Sequence, residues 1–95
     1  MAGYLVFDVE ITDQEAWQVY RETAGPVMAA SGGTFLVQSA GIEPLEGGWV
    51  PASLSVVEFP SAEAARTFYR SPEYQALIPL REAAAISRGV LVTGA

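Results

Sequence analysis

Read as an extended segment, residues 4–11 put Leu5, Phe7, Val9 and Ile11 on one side and Tyr4, Val6, Asp8 and Glu10 on the other, because side chains alternate across a strand. The first side is wholly apolar and the second is mixed. Residues 54–59 repeat the arrangement, with Val57 and Phe59 set against Leu54, Val56 and Glu58. Strands that are apolar on both sides need a layer over each side. Ninety-five residues make one domain, 1–95. A chain of this size buries roughly two thirds of its unfolded surface, enough for a single core. The hydrophobic fraction of 51% is high for that size, so either the core is dense or a partner covers part of the surface.

The remaining elements follow from local signals. Thr12 and Glu15 have the spacing of a capping box, which predicts a helix from Asp13 to Ala30. Ala16, Tyr20, Ala24, Val27 and Met28 recur at helical spacing and are expected to face the core. Pro26 cannot donate to the Glu22 carbonyl, so a kink is expected there. Ser31-Gly32-Gly33 ends the helix, and 34–39 forms a second strand. Residues 40–53 make a long connection rich in Gly and Pro, which its Ile42, Leu45 and Trp49 suit to a hairpin arm. The third strand is 54–59. Ser61 caps a helix over 62–70, Ser71-Pro72 restarts one, and Pro79 restarts or bends the chain again toward about Ile86. The last strand is 89–93. The order β-α-β-β-α-β is the ferredoxin-like layout, an α+β fold with helices on one face of an antiparallel sheet. The pure faces belong under the helices. The mixed face, with Val6, Leu36, Leu54, Val56 and Val90 or Val92, needs something apolar, and a second copy of the sheet is the simplest answer.

Composition excludes several chemistries. The chain holds no Cys, His or Lys. It therefore has no disulfide, thiolate, imidazole base or side-chain Schiff base. Chemistry is left to carboxylates, tyrosines, hydroxyls, arginines and backbone groups. No metal, haem or flavin is expected, since strong transition-metal ligands and a glycine-rich turn opening a helix are both missing. Net charge is −6, and the five arginines do not cluster densely, which argues against nucleic acid and anionic membranes. No run approaches a membrane span, and the start of the chain lacks a basic signal region. A soluble, cytoplasmic protein is the expectation.

A set of short motifs spans nearly the whole chain: Tyr4, the Thr12-Asp13 helix start, Tyr20, Gly32-Gly33, Glu46-Gly47 with Trp49 and Pro51, Glu58-Phe59-Pro60-Ser61, and Ser71-Pro72-Glu73-Tyr74-Gln75. In this order and spacing they resemble the small bacterial proteins of domain of unknown function 1330, within the dimeric α/β-barrel superfamily. The resemblance implies a homodimer whose sheets pair face to face. Superfamily relatives include cofactor-independent monooxygenases, haem-dependent enzymes and a group using a His–Asp pair. The missing histidines remove the second and third as usually built. What remains is cofactor-free chemistry on a small organic molecule, or ligand binding without turnover, or a protein-interaction dimer using the 40–53 arm.

Site candidates lie mainly on the mixed face. With strands ordered 4-1-3-2 and Val6 opposite Val56, Tyr4 faces Glu58 and Asp8 faces Leu54. A similar register brings Thr34 near Glu58 and Gln38 near Leu54. Glu58 in an apolar barrel suits a general acid or base, with Tyr4 as donor to a developing oxyanion. The competing reading has Glu58 accepting a structural tyrosine hydrogen bond or pairing with an arginine across the dimer. Asp8, Gln38, Trp49 and Arg81 are the binding candidates. Arg81 either clamps a ligand carboxylate or pairs with Glu73 or Glu82. Trp49 is a lid, a dimer contact or a loop anchor. Tyr20, Phe68, Tyr69 and Tyr74 form an aromatic stripe expected in the core, the alternative being that the tyrosine hydroxyls line a pocket between helices and sheet.

Overall fold

The computed structural model describes residues 1–38 and 41–95. Its elements run β1 (Gly3–Ile11), α1 (Gln14–Ala30), β2 (Thr34–Gln38), β3 (Leu54–Phe59), α2 (Ala62–Arg70), α3 (Pro72–Gln75), α4 (Ile78–Ala84) and β4 (Ala85–Thr93). The four strands form one antiparallel sheet in the order β2-β3-β1-β4. The architecture is the ferredoxin-like α+β arrangement that the alternation of β1 and β3 requires. Ser39, the expected last residue of the second strand, lies outside the described residues. The expected hairpin arm is not formed as strand: residues 41–53 carry no strand pairing among the described residues.

Helix α1 starts one residue later than the capping box predicts. The Thr12 and Asp13 amides both donate to the Ala84 carbonyl, at 2.9 and 3.1 Å, which holds them in the incoming extended chain. Asp13 is therefore the cap, and its Oδ1 accepts the Ala16 amide at 3.1 Å. The helix continues through Gly25 and Pro26 to Ala30. It ends in a Schellman arrangement: the Gly33 amide donates to Met28 O and the Gly32 amide to Ala29 O. Gly32 sits at φ +89°, a conformation that side chains disfavour. At the other end, β4 begins at Ala85, four residues before the expected Gly89, because Ala85–Arg88 pair with Asp8–Ile11 of β1.

Partnered residues share a face, so the register sorts the chain into two sides. Toward the helices lie Leu5, Phe7, Val9, Val57, Phe59 and Leu91. The core is Leu5, Val57 and Phe59 packed against Tyr20, Ala24 and Met28 of α1, Ala65 and Phe68 of α2, and Tyr74 of α3. Of the α1 residues expected inside, Tyr20, Ala24 and Met28 are buried, while Ala16 and Val27 are half-buried. Among the described residues the opposite face of the sheet carries no helix. On it Val37, Ile86, Val90 and Val92 are 43%, 65%, 60% and 43% exposed.

Candidate functional site

The β1–β3 register matches the sequence reading pair for pair: Tyr4 with Glu58, Val6 with Val56, Asp8 with Leu54. Thr34 also stands opposite Glu58. The Tyr4 hydroxyl donates to Glu58 Oε2 at 3.2 Å. That bond, then desolvation and the nearby carboxylate charge, raise the Tyr4 pKa, because ionising the phenol would place two anions together. Asp8 is tied differently from expectation. Arg88, its partner on β4, donates from Nη2 to Asp8 Oδ2 at 3.1 Å. Tyr4, Glu58 and Asp8 thus occupy the helix-free face, and none of them lines either of the two clefts described below.

Gln38 departs from its predicted place. Phe35 pairs with Val57, but Val37 pairs with Val56, so Leu36 is an extra residue that shifts the register. The bulge reverses the alternation of β2. Gln38 therefore lies opposite Ser55, on the helix side, and not beside Leu54 and Asp8. Trp49 is exposed and lines neither cleft.

A cleft of about 360 Å³ opens between α1 and the helix side of the sheet. Phe7, Val9, Phe35 and Val57 form one wall, and Trp17, Ala24 and Met28 the other; Gln38, Ser53 and Ser55 supply polar atoms at its sheet side. Tyr20 and Arg81 also line it. Arg81 is only 9% exposed. It pairs with neither Glu73 nor Glu82. Its Nη1 donates to the Tyr74 hydroxyl at 2.6 Å, and the Tyr74 and Tyr20 hydroxyls are 2.7 Å apart. Its guanidinium stands 5.1 Å from the centre of the Phe7 ring, a cation–π distance. The Phe7 ring in turn lies over Gly89, its partner on β4, where a Cβ would collide with the ring. Burial, reinforced by the neighbouring Tyr74, raises the Tyr20 pKa, so this hydroxyl keeps its proton.

The Tyr20–Tyr74–Arg81 cluster is absent from the sequence reading as a unit. Tyr20 and Tyr74 appear there as core aromatics, which they also are, or as hydroxyls lining a pocket, and Arg81 as a ligand clamp or half of an ion pair. Their positions in three separate helices give no spacing to recognise. A usable signal was the place of Arg81 among Leu77, Ile78, Ala84 and Ala85, three and four residues to either side, which puts it on an apolar helix face. Among the described residues no three acidic side chains gather as a metal-binding group, and no helix is long and apolar enough to cross a membrane.

Comparison with solved structures supports the fold. A protein of unknown function from Rhodopseudomonas palustris is 22% identical, with a TM-score of 0.78 over 99% of this chain and 82% of that one. SnoaB, a cofactor-independent oxygenase from Streptomyces nogalater, is 18% identical, with a TM-score of 0.61 over 99% of this chain and 91% of its own. An antibiotic biosynthesis monooxygenase is 16% identical, with a TM-score of 0.55 over 100% of this chain and 97% of that one. At such identities the likeness concerns the fold alone. No curated protein matches the sequence. The profile of the family described as domain of unknown function (DUF1330) matches residues 2–95, and the chain belongs to that family.

Proposed function

We propose that this protein is a homodimer that binds a small, planar organic molecule in the cleft between α1 and the sheet, and acts on it without a cofactor. The observation that carries the reading is the cleft itself: apolar walls around about 360 Å³ that end on Tyr20 and Arg81. Ligand sites are typically apolar cavities of this scale with a few convergent polar groups. The polar end is organised. Arg81 donates a hydrogen bond to the Tyr74 oxygen, and the Tyr74 and Tyr20 hydroxyls share another in which either can donate; when a ligand oxygen enters, Tyr74 donates to Tyr20 and the Tyr20 proton turns to the ligand oxygen. Charge developing on that oxygen would meet a neutral phenol and a fixed cation, the electrostatic support that cofactor-free chemistry requires. The likeness in fold to SnoaB, described as a cofactor-independent oxygenase, agrees with this reading by analogy.

A second reading keeps the ligand between paired sheets, with Glu58 as base and Tyr4 as donor. The 3.2 Å bond between them favours it. One titration separates the two. In a Trp49→Phe background Trp17, which lines the cleft, is the only indole. Titration with 2-naphthol is expected to change its fluorescence saturably. Gly25 lines the cleft, and a Cβ there meets nothing within 4 Å, so Gly25→Leu fills the space without disturbing the helix. It is expected to abolish the response with no loss of stability, while Glu58→Gln leaves it intact. The converse pattern selects the inter-sheet site. Absence of any saturable response overturns the cleft reading.

A further inference from the structure

Three of the five arginines line a second cleft, of about 580 Å³, on the helix side of the sheet. Arg66 and Arg70 reach it from α2 and Arg81 from α4, beside Tyr69 and Ser87. Leu5, Phe7 and Leu91 give it an apolar wall, and no Asp or Glu lines it. In sequence these arginines look scattered; the packing of α2 and α4 over β1 and β4 gathers them.

The cluster is costly as it stands. Arg66 and Arg70 are one helical turn apart, where like charges repel. The chain has eleven carboxylates, yet among the described residues neither arginine forms an ion pair, although Glu63 lies one turn before Arg66. Arg88, by contrast, has found Asp8. Arg81 is nearly fully buried, and its Nε is left without a hydrogen-bond partner. A buried donor without a partner is unfavourable, and an arriving acceptor relieves that. Three arginines in one cleft, none of them in an ion pair among the described residues, offer an anion a complementary site in a protein of net charge −6.

We propose that this second cleft binds a small organic molecule with a doubly charged oxyanion head, its body resting on Leu5, Phe7 and Leu91. Guanidinium forks match carboxylate and phosphate oxygens bidentately, so the shared chemistry is a dianion held by Arg66, Arg70 and Arg81. The overall negative charge of the protein repels anions elsewhere on its surface and makes the cleft the preferred place. Arg81 lines both clefts, but Arg66 and Arg70 line only the second, so variants at those two positions test this inference apart from the function proposed above.

The test is a titration followed through the arginine side-chain Nε–H resonances of the nitrogen-labelled protein at constant ionic strength. Phenyl phosphate and phthalate are the probes, with benzoate and chloride as controls. Saturable shifts of Arg66, Arg70 and Arg81 are expected with at least one dianion. A response to phenyl phosphate alone identifies a phosphate ester, and to phthalate alone a dicarboxylate. Arg66→Gln combined with Arg70→Gln, both exposed positions, should weaken binding at least about tenfold, in line with the loss of charge-assisted hydrogen bonds. The same double variant should leave the 2-naphthol titration unchanged. No saturable shift with either dianion, an equal response to chloride, or wild-type affinity in the double variant overturns the proposal.

Discussion

The Tyr20 hydroxyl shows how one buried group ties stability to pH. It is enclosed by the core and hydrogen-bonded to Tyr74, so its phenolate would be desolvated beside another phenol. Its folded-state pKa consequently lies above the ordinary value of 10.0. Above that pH the unfolded chain releases a proton that the folded chain retains, so stability is fully present below pH 10 and falls as pH rises further. Tyr4 acts in the same direction, through its bond to Glu58. Tyr20→Phe should cost about 1–2 kcal/mol at neutral pH, because Tyr74 loses a buried partner. It should also make the alkaline decline shallower. Urea midpoints between pH 7 and pH 11 check both effects. An unchanged alkaline slope would mean that Tyr20 reaches water in the folded state.

At the scale of elements, Ser71 joins two helices with one hydroxyl. Its Oγ donates to the Phe68 carbonyl at the end of α2, at 2.7 Å, and accepts the Tyr74 amide at the start of α3, at 3.2 Å. The turn it holds sets Tyr74 against Phe68, ring centres 4.7 Å apart, and within reach of Arg81. Ser71→Ala removes both bonds and should cost about 1–2 kcal/mol, as loss of a helix cap does. Because Tyr74 braces the polar end of the cleft, weaker 2-naphthol binding should accompany the lower thermal midpoint; a variant that loses stability alone would show that α3 does not position the cluster. Ser71-Pro72 was legible in the sequence because capping chemistry is local. So were the alternation of β1 and β3 and their register, since a one-residue slip would turn Leu5 and Val57 outward. The bulge at Leu36 was not legible: nothing in Thr34–Gln38 marks which residue is extra, and one unmarked residue was enough to move Gln38 to the other face. The Asp13 cap was obscured by Thr12, whose better sequence spacing is overruled by the amide bonds to Ala84. Arg81 was visible as a ligand clamp or a partner of Glu73 or Glu82, but not as a partner of Tyr74, because the helices that carry the two meet in space alone.

In the molecule as a whole, no helix among the described residues covers one face of the sheet. Val37, Ile86, Val90 and Val92 are exposed there, with Val6 and Val56 between them. A monomer rarely presents so continuous an apolar sheet surface to water. Of its polar members, Tyr4 is paired with Glu58 and Asp8 with Arg88 within the chain, so an apposed surface would not have to satisfy those four. A second copy related by a two-fold axis presents the same valines and the same paired polar groups, which makes the face complementary to itself. Light scattering at micromolar concentration is expected to give twice the mass of one 10.1 kDa chain. Val56 stands at the centre of the face, opposite Val6 on one side and Val37 on the other. Val56→Glu should dissociate the pair by burying an unpaired carboxylate, a cost of several kcal/mol. In the separated chain that carboxylate faces water, so circular dichroism should still report the α+β fold. A wild-type protein that scatters as a single chain, or a Val56→Glu variant that remains paired, would mean that the valine face is covered in some other way.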